Sequence, residues 1–359
     1  MFDKNMPYND LPLLPPDAEL ETKVVLKHAI VASRAIADLR GKAGLIPNQR
    51  MMIDSIVLQE ARISSEIENI VTTNDELYRA AADMDGLFDD AHTKEVLRYR
   101  QAIWYGYEQI QKRPLSTNLF VEIVQIIKQI ELNIRKTTGT KLSGPNGEIV
   151  YTPPEGEAIL REKLTNLEQF IYAKDDIDPL IKLAVMHYQF EAIHPFADGN
   201  GRTGRILNIL FLVEQGLLDM PVLFLSKYIL ENKINYYEGL RNITEKGEWE
   251  QWILYILKGI ETTAQQTSAQ IDAILTLMKD VKTVIRKNAE KIYSKELLEM
   301  IFMHPYCKIK FLEQSGIAKR QTASNYLQTL ADIGVLRSEK FGRENYYIND
   351  ALIKILIGH

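Results

Sequence analysis

The chain has 359 residues, and its 43 lysine and arginine side chains against 48 aspartates and glutamates give a net charge of −5. That mild acidity argues against a dedicated nucleic-acid coat or a membrane-surface binder, and a single cysteine, Cys307, excludes an intrachain disulfide and a cysteine-based zinc site. The start, Met1-Phe2-Asp3-Lys4-Asn5, lacks a secretory-leader pattern and no uninterrupted apolar run reaches membrane-spanning length, so the expectation is a cytoplasmic protein of two or three domains without membrane association.

Residues 1–20 carry Leu11-Pro12-Leu13-Leu14-Pro15-Pro16, an extended arm whose leucines favour docking on a surface. Residues 20–42 show helical periodicity through Val24, Val25, Leu26, Ala29, Ile30, Ala32, Ile36 and Leu39, with Gly41 as the expected C-cap. A second helix is expected over 47–79, with Met52, Ile53, Ile56, Val57 and Ala61 on its apolar side. It carries Ser64-Ser65-Glu66-Ile67-Glu68-Asn69; Ser64 and Glu68 share one face, which by pattern alone is an ordinary solvated surface. Core-forming helices follow at Glu95–Gln111 and Thr117–Ile130, broken at Pro114 and Ser116.

Residues 134–158 are turn-rich. Gly144-Pro145-Asn146-Gly147 favours a hairpin, and Glu148-Ile149-Val150-Tyr151 makes a short strand closed by Pro153-Pro154. Helices are expected at Ile159–Ile171, Leu180–Ile193 and Arg202–Gly216. His187 has no acidic or cysteine partner at ligand spacing, so it reads as a core histidine. Trp249 and Trp252 read as core packing.

The chemistry concentrates in His194-Pro195-Phe196-Ala197-Asp198-Gly199-Asn200-Gly201-Arg202-Thr203-Gly204-Arg205. Pro195 ends the preceding helix and leaves His194 at its terminus. Gly199 and Gly201 permit a backbone turn in which N–H groups converge on an anion. Arg202 and Arg205 fall in the first turn of the next helix, an unfavourable place for cations unless phosphates fill the space. Asp198 is the expected magnesium ligand, a hard oxygen beside substrate phosphates.

Beyond the core, Gln265–Lys287 reads as a long connecting helix. Helices at Tyr293–Met303, Ile309–Gln314 and Arg320–Ile333, with Gly316 between the last two, precede strands Val335–Lys340 and Glu344–Ile348 around Gly342. This pattern resembles a winged helix-turn-helix. Ten basic against eight acidic side chains over residues 290–359 is a weak bias for binding DNA. Lys319, Arg320, Lys340 and Arg343 could still touch phosphates, and DNA binding and a protein-contact role both stay open.

The segment 194–205 resembles the Fic (filamentation induced by cyclic AMP) motif H-P-F-x-[D/E]-G-N-G-R-x-x-R. The resemblance, over roughly residues 8–260, implies a mainly α fold with a Fic-type helical core and a small β-hairpin flap, and the separate winged-helix resemblance of the remainder adds a C-terminal winged helix-turn-helix. Together they imply an N-terminal helical region at 1–100 with an inhibitory helix over about 52–78, a catalytic core at 101–262, a linker helix at 263–289 and a winged-helix domain at 290–359. The implied activity is a protein adenylyltransferase that moves AMP from ATP to a Tyr, Thr or Ser hydroxyl of a target protein. His194 would be the general base. Asp198 would hold Mg²⁺, and ATP would meet Asp198, Gly199, Asn200, Gly201, Arg202, Thr203, Gly204 and Arg205. Tyr236 and Tyr237, in a Tyr-Tyr-x-x-Leu stretch, would flank the adenine. Ser64, Glu68 and Asn69 match the family's inhibitory pattern [S/T]-x-x-x-E-[G/N], and Glu68 would pair bidentately with Arg205 where the γ-phosphate belongs. Val150 and Tyr151 belong to the flap that would hold the target by strand addition. A homodimer is the family expectation. Competing readings keep the residues and change the role. Glu68 could align a water that removes AMP, or the winged helix could make a transcription regulator with a nucleotide-sensing core. A toxin–antitoxin-like protein is a third, and UTP, GTP and CDP-choline are alternative donors.

Overall fold

A computed structural model describes residues 2–83, 90–144, 146–342 and 344–358. Pro145 and Arg343, named above for the hairpin turn and the wing, and the side chain of Met52 lie outside the described residues. In chain order the elements are α1 (Lys23–Ala43), α2 (Gln49–Ile67), α3 (Asn74–Ala81), α4 (Ala91–Ile110), α5 (Thr117–Lys128), β1 (Leu142–Ser143), β2 (Ile149–Tyr151), α6 (Glu157–Ile171), α7 (Pro179–Ile193), α8 (Asn200–Glu214), α9 (Ser226–Glu231), α10 (Lys233–Lys246), α11 (Trp249–Asn288), α12 (Lys295–Met303), β3 (Tyr306–Cys307), α13 (Ile309–Gln314), α14 (Arg320–Asp332), β4 (Arg337–Phe341), β5 (Glu344–Ile348) and α15 (Asp350–Ile357). The fold is mainly helical with small antiparallel sheets, as expected. The chain divides into two units, one of residues 1–37, 63–69 and 98–265, the other of 38–62, 70–97 and 266–359.

The first unit is built on α7. Every residue of this helix except Pro179 and Glu191 is buried, and a helix apolar on all sides belongs inside a core. Asp178 caps it by accepting the Leu180 N–H at 2.8 Å, and Pro179 sits at the first helical position, where no N–H is needed. α7 packs against α6 and α8, and α8 also packs on α5. The turn between α7 and α8 is therefore carried by two rigid, buried helices. The N-terminal arm docks here: Leu11 and Leu14 are buried, and the Lys163 ammonium donates to the Leu11 carbonyl at 2.7 Å. Asn166 pairs with both the N–H and the carbonyl of Leu14, and Gln189 donates to the Pro12 carbonyl at 2.9 Å.

The second unit contains the three-stranded antiparallel sheet, ordered β3-β5-β4, with Tyr306 opposite Ile348 and Arg337 opposite Ile348 on the other edge. Leu297, Ile301, Leu312, Ala323, Leu327, Leu330 and Ile348 are among its buried side chains. The Tyr306 hydroxyl donates to Asp75 at 2.6 Å and its ring stacks on Tyr78, so α3 is tied to this unit by a polar and an aromatic contact.

Several expectations are corrected. Gly41 is not a cap: α1 runs on to Ala43, and the Gly44 N–H still bonds the Arg40 carbonyl at 3.1 Å. Of the α1 apolar positions, Val25, Ala29, Ala32, Ile36 and Leu39 are buried, whereas Val24, Leu26 and Ile30 are exposed. The single helix expected over 47–79 is two helices. Asn69 takes a left-handed φ of 61°, which asparagine tolerates, and Thr73 restarts the helix with a reciprocal capping box to Glu76. The connecting helix begins at Trp249 rather than Gln265. Strand β3 and helix α15 were not anticipated; β3 is only two residues long, too short to leave a period.

Candidate active site

At the front of the loop, His194 is the residue that ends α7. Its N–H bonds the Phe190 carbonyl at 3.0 Å, and its backbone is left-handed, φ 49° and ψ 59°. That conformation costs a non-glycine residue about 1–3 kcal/mol and persists only where the surroundings enforce it. Two groups do so. Arg135 donates its Nε–H to the His194 carbonyl at 2.8 Å, and its main-chain N–H bonds the Pro195 carbonyl at 2.9 Å. The Asn200 side chain accepts the Phe196 N–H and donates to the Phe196 carbonyl, both at 2.8 Å. The Asn200 amide is thus engaged on the loop itself, and the residue is 2% exposed.

The His194 Nδ1 is buried, and the Glu191 backbone carbonyl lies near the ring without a hydrogen bond of good geometry. Burial, and after it the charge of Arg135, pushes the ring's pKa down to about 4, against the Glu191 backbone carbonyl, Glu68 and Asp198, which favour the charged form. The ring is therefore neutral at pH 7. With Nδ1 enclosed, Nε2 is the nitrogen left for chemistry.

Gly199 supplies the turn, with φ 82°. Gly201 does not: it lies inside α8 with ordinary helical geometry, and its need for no side chain is steric. A Cβ there would stand 2.5 Å from Glu68 Oε1 and 3.0 Å from an Arg205 nitrogen. Gly204 has the same character, since its Cβ would meet Glu191 Oε1 at 2.6 Å. The leading N–H groups of α8 have no partner within the helix and carry the positive end of its dipole. Arg202 is 1% exposed and Thr203 is fully buried.

Asp198 accepts the Gly199 N–H at 2.6 Å, and Lys128 Nζ lies 2.6 Å from its other oxygen. Burial raises its pKa, but the hydrogen bond and charge of Lys128, with Arg202, prevail and hold it below the usual carboxylate range. Among the described residues no three His, Cys, Asp or Glu side chains cluster as a metal cage. One ionised carboxylate on the rim of an anion-binding turn fits a magnesium ion held mostly by phosphates and water.

At the far end, Arg205 is 3% exposed. Its Nε–H donates to Ser64 Oγ at 2.8 Å, and Nη2 donates to the Ser64 carbonyl and to Glu68 Oε1, each at 2.9 Å. The expected bidentate carboxylate pairing is thus replaced by three contacts, of which one is carboxylate and two come from Ser64. Glu68 follows the last residue of α2, its N–H bonding the Ser65 carbonyl at 3.0 Å, and Asn69 turns the chain away at once. Burial raises the Glu68 pKa. The charge and hydrogen bond of Arg205, helped by Arg202 and Lys233, outweigh this and leave it below the ordinary value. Lys233 also donates to the Ile67 carbonyl at 2.9 Å.

The remaining candidates separate. Tyr236 is 3% exposed, inside a cluster with His187 and Trp252, and its hydroxyl pairs with His187 Nε2 at 3.0 Å. His187 is a core histidine as expected, its pKa pushed down to about 3 by burial. Tyr237 keeps 49% exposure and is the one of the pair able to meet a ligand directly. Tyr151 turns its hydroxyl to the Ala192 carbonyl at 2.8 Å and stacks on Phe2, so its ring anchors the hairpin on α7; Val150 is half-buried.

Sequence reasoning missed Arg135, Lys128, Glu191 and Lys233. Glu191 alone left a signal, the one acid in a mostly apolar helix, three residues before His194. Burial raises its pKa to about 7, with Glu68 adding to that and Arg205 opposing it.

Comparisons with known proteins place the chain among related sequences and folds. Residues 26–108 match the Fic/DOC family N-terminal domain, 114–212 the Fic/DOC family, and 277–352 the C-terminal domain of SoFic-like protein adenylyltransferase. A probable protein adenylyltransferase of Aquifex aeolicus is 28% identical over 182 residues, 49% of this chain and 54% of that protein. Protein adenylyltransferase fic-1 of Caenorhabditis elegans is 30% identical over 118 residues, 32% of this chain and 22% of that protein. The chain thus spans about half the length of the first relative and less of the second. A Fic family protein from Desulfovibrio desulfuricans G20 shares the fold at a TM-score of 0.58 and 16% identity, over 93% of this chain and 98% of that one.

Proposed function

We propose that this chain, which belongs to the Fic/DOC family, is a protein adenylyltransferase that moves AMP from ATP to a Tyr, Thr or Ser hydroxyl of a target protein. Relatives bearing that name support the activity. The observation that carries the regulatory half of the reading is Arg205, held by Ser64 and Glu68 rather than left open for a phosphate.

His194 is the general base. Its neutral ring accepts the target hydroxyl's proton at Nε2, the hydroxyl oxygen bonds to the α-phosphorus, and the bond to the leaving diphosphate breaks. The α8 N-terminus and Arg202 stabilise the charge on the phosphates. Magnesium, when bound, would be held by Asp198 and would neutralise phosphate charge. Arg205 takes the γ-phosphate once Glu68 leaves. Tyr237 covers the adenine, with Tyr236 supporting it from behind. The hairpin at 142–151 presents the target segment.

The test is Glu68→Gly incubated with radiolabelled ATP. Transfer, including self-modification, is expected to rise; unchanged incorporation overturns the autoinhibited reading. Finer features belong to the same proposal. Residues 290–359 are read as a winged helix whose Lys319 and Arg320 meet DNA phosphates or a protein surface. The protein is read as a cytoplasmic homodimer, which sedimentation tests directly. Among the described residues no helix is long and apolar enough to cross a membrane.

A further inference from the structure

Arg135 stands between α5 and β1, in no helix or strand, yet it is 4% exposed. Its contacts are concentrated in an unusual way. Nε–H donates to the His194 carbonyl at 2.8 Å, Nη2 reaches the Ile193 carbonyl at 3.4 Å and the Pro154 carbonyl, and the main-chain N–H takes the Pro195 carbonyl at 2.9 Å. One residue therefore holds three consecutive carbonyls, 193, 194 and 195. The first two belong to the peptide planes on either side of the His194 Cα. Fixing both planes fixes φ and ψ of His194 together. The fourth carbonyl, Pro154, lies at the exit of the hairpin. A helix C-terminus presents carbonyls without partners and the negative end of the dipole, so a cation is at home there. A helix stop alone, however, would be cheaper with glycine in the left-handed position.

We propose that Arg135 is a positioning residue for the reaction: it holds the His194 backbone in its left-handed conformation and joins it to the Pro153-Pro154 exit of the flap, so that the base and the target hydroxyl keep one spacing. This rests on the adenylyltransferase reading, in which His194 is the base. Planar forked donors suit the task, because a guanidinium fixes several acceptors at set angles where an ammonium acts as a point charge. Arg135 also faces His194 as a positive charge, while Glu68 beyond α2, Asp198 in the loop and the Glu191 carbonyl of α7 act in the opposite sense.

The experiment compares Arg135→Gln and Arg135→Lys, each in the Glu68→Gly background. Measured are kcat and KM for AMP transfer, the dissociation constant of a fluorescent ATP analogue, the melting temperature and the pH profile. Arg135→Gln is expected to lower kcat about 100-fold, the scale of a misplaced reacting group, with nucleotide affinity within about threefold because the α8 N-terminus is untouched. The acid limb should move to higher pH, since a positive charge beside the base is gone. Arg135→Lys should recover the limb's position but only part of kcat. An unchanged kcat and limb in Arg135→Gln overturn the proposal. So does a kcat loss matched by equal losses of nucleotide affinity and melting temperature, which marks a purely structural residue. If Glu68→Gly itself transfers no AMP, the adenylyltransferase reading fails instead. The positioning claim is then decided by the His194 backbone NMR chemical shifts, which must leave their left-handed values in Arg135→Gln and which, unmoved, reject it.

Discussion

The two ends of the segment 194–205 are secured by opposite means. At the front, His194 is held through main-chain carbonyls by a buried arginine and through a buried asparagine four residues beyond Phe196. Both partners are buried, Arg135 at 4% and Asn200 at 2% exposure. At the far end, Arg205 is held by a serine and by a glutamate whose side chain keeps 36% exposure. A partly exposed carboxylate on a buried guanidinium can be exchanged for another anion of similar charge. The front is thus held by buried partners and the far end by a partly exposed one, the division expected on the autoinhibited reading proposed above.

The sharpest way to break this comparison is at the front. His194→Ala should reduce AMP transfer by at least about 10³-fold, the upper range for removing a general base, while the melting temperature and nucleotide affinity stay near wild type. Incorporation of radiolabel measures the first and calorimetry the others. Retained transfer would mean that the proton leaves by another route.

At the far end the effects should run the other way. Glu68→Gly should raise transfer about 10–100-fold, the equivalent of one charge-assisted hydrogen bond removed from the inhibited state. Ser64→Ala removes the Oγ contact but leaves the carbonyl contact and Glu68 in place, so a rise of only about 3–10-fold is expected. Equal activation by both variants would show that Ser64 works by placing Glu68 rather than by holding Arg205.

Changes in pH distinguish the ends more gently. Glu68's pKa is lowered in the folded protein, so its pairing is complete above the ordinary carboxylate value of 4.5 and is lost only as pH falls through the lower folded value. Glu68 itself should therefore contribute no change between about pH 6 and 8, and any titration of basal activity there should vanish in Glu191→Gln; one that persists would contradict the assignment. Fold stability should fall in acid for a different reason. His187 and His194 have folded pKa values of about 3 and about 4 against 6.5, so the unfolded chain binds more protons below pH 6.5. Each contributes a loss of about 1.4 kcal/mol per pH unit. Glu191, raised to about 7 from 4.5, binds its proton first in the folded state and offsets one of them. Glu191→Gln should steepen the acid loss measured by melting.

The chemistry was legible where it was local. The twelve residues from His194 to Arg205 mark a turn between two helices, which the structure places between α7 and α8, and α7 follows from an apolar run rather than from a period. Long-range partners were not legible. Arg135 reaches carbonyls 58 and 59 positions away, and a carbonyl leaves no mark in a sequence. Gly201 read as a turn glycine because its true neighbour, Glu68, is brought there by tertiary packing. The break after α2 was missed because Asn69 in a left-handed conformation looks like any polar helix residue, although Thr73 and Glu76 carried a capping signature that could have been read.

One of the bonds on Arg205 ends on the Ser64 main-chain carbonyl. No codon change at position 64 deletes that oxygen. Changing the Ser64 side chain to Ala therefore leaves this contact to Arg205 available, provided that α2 ends at the same register. What inheritance must preserve is the helix's length more than the hydroxyl. A deletion or insertion of one residue between 49 and 67 would be felt at Arg205 more severely than most substitutions at Ser64 itself.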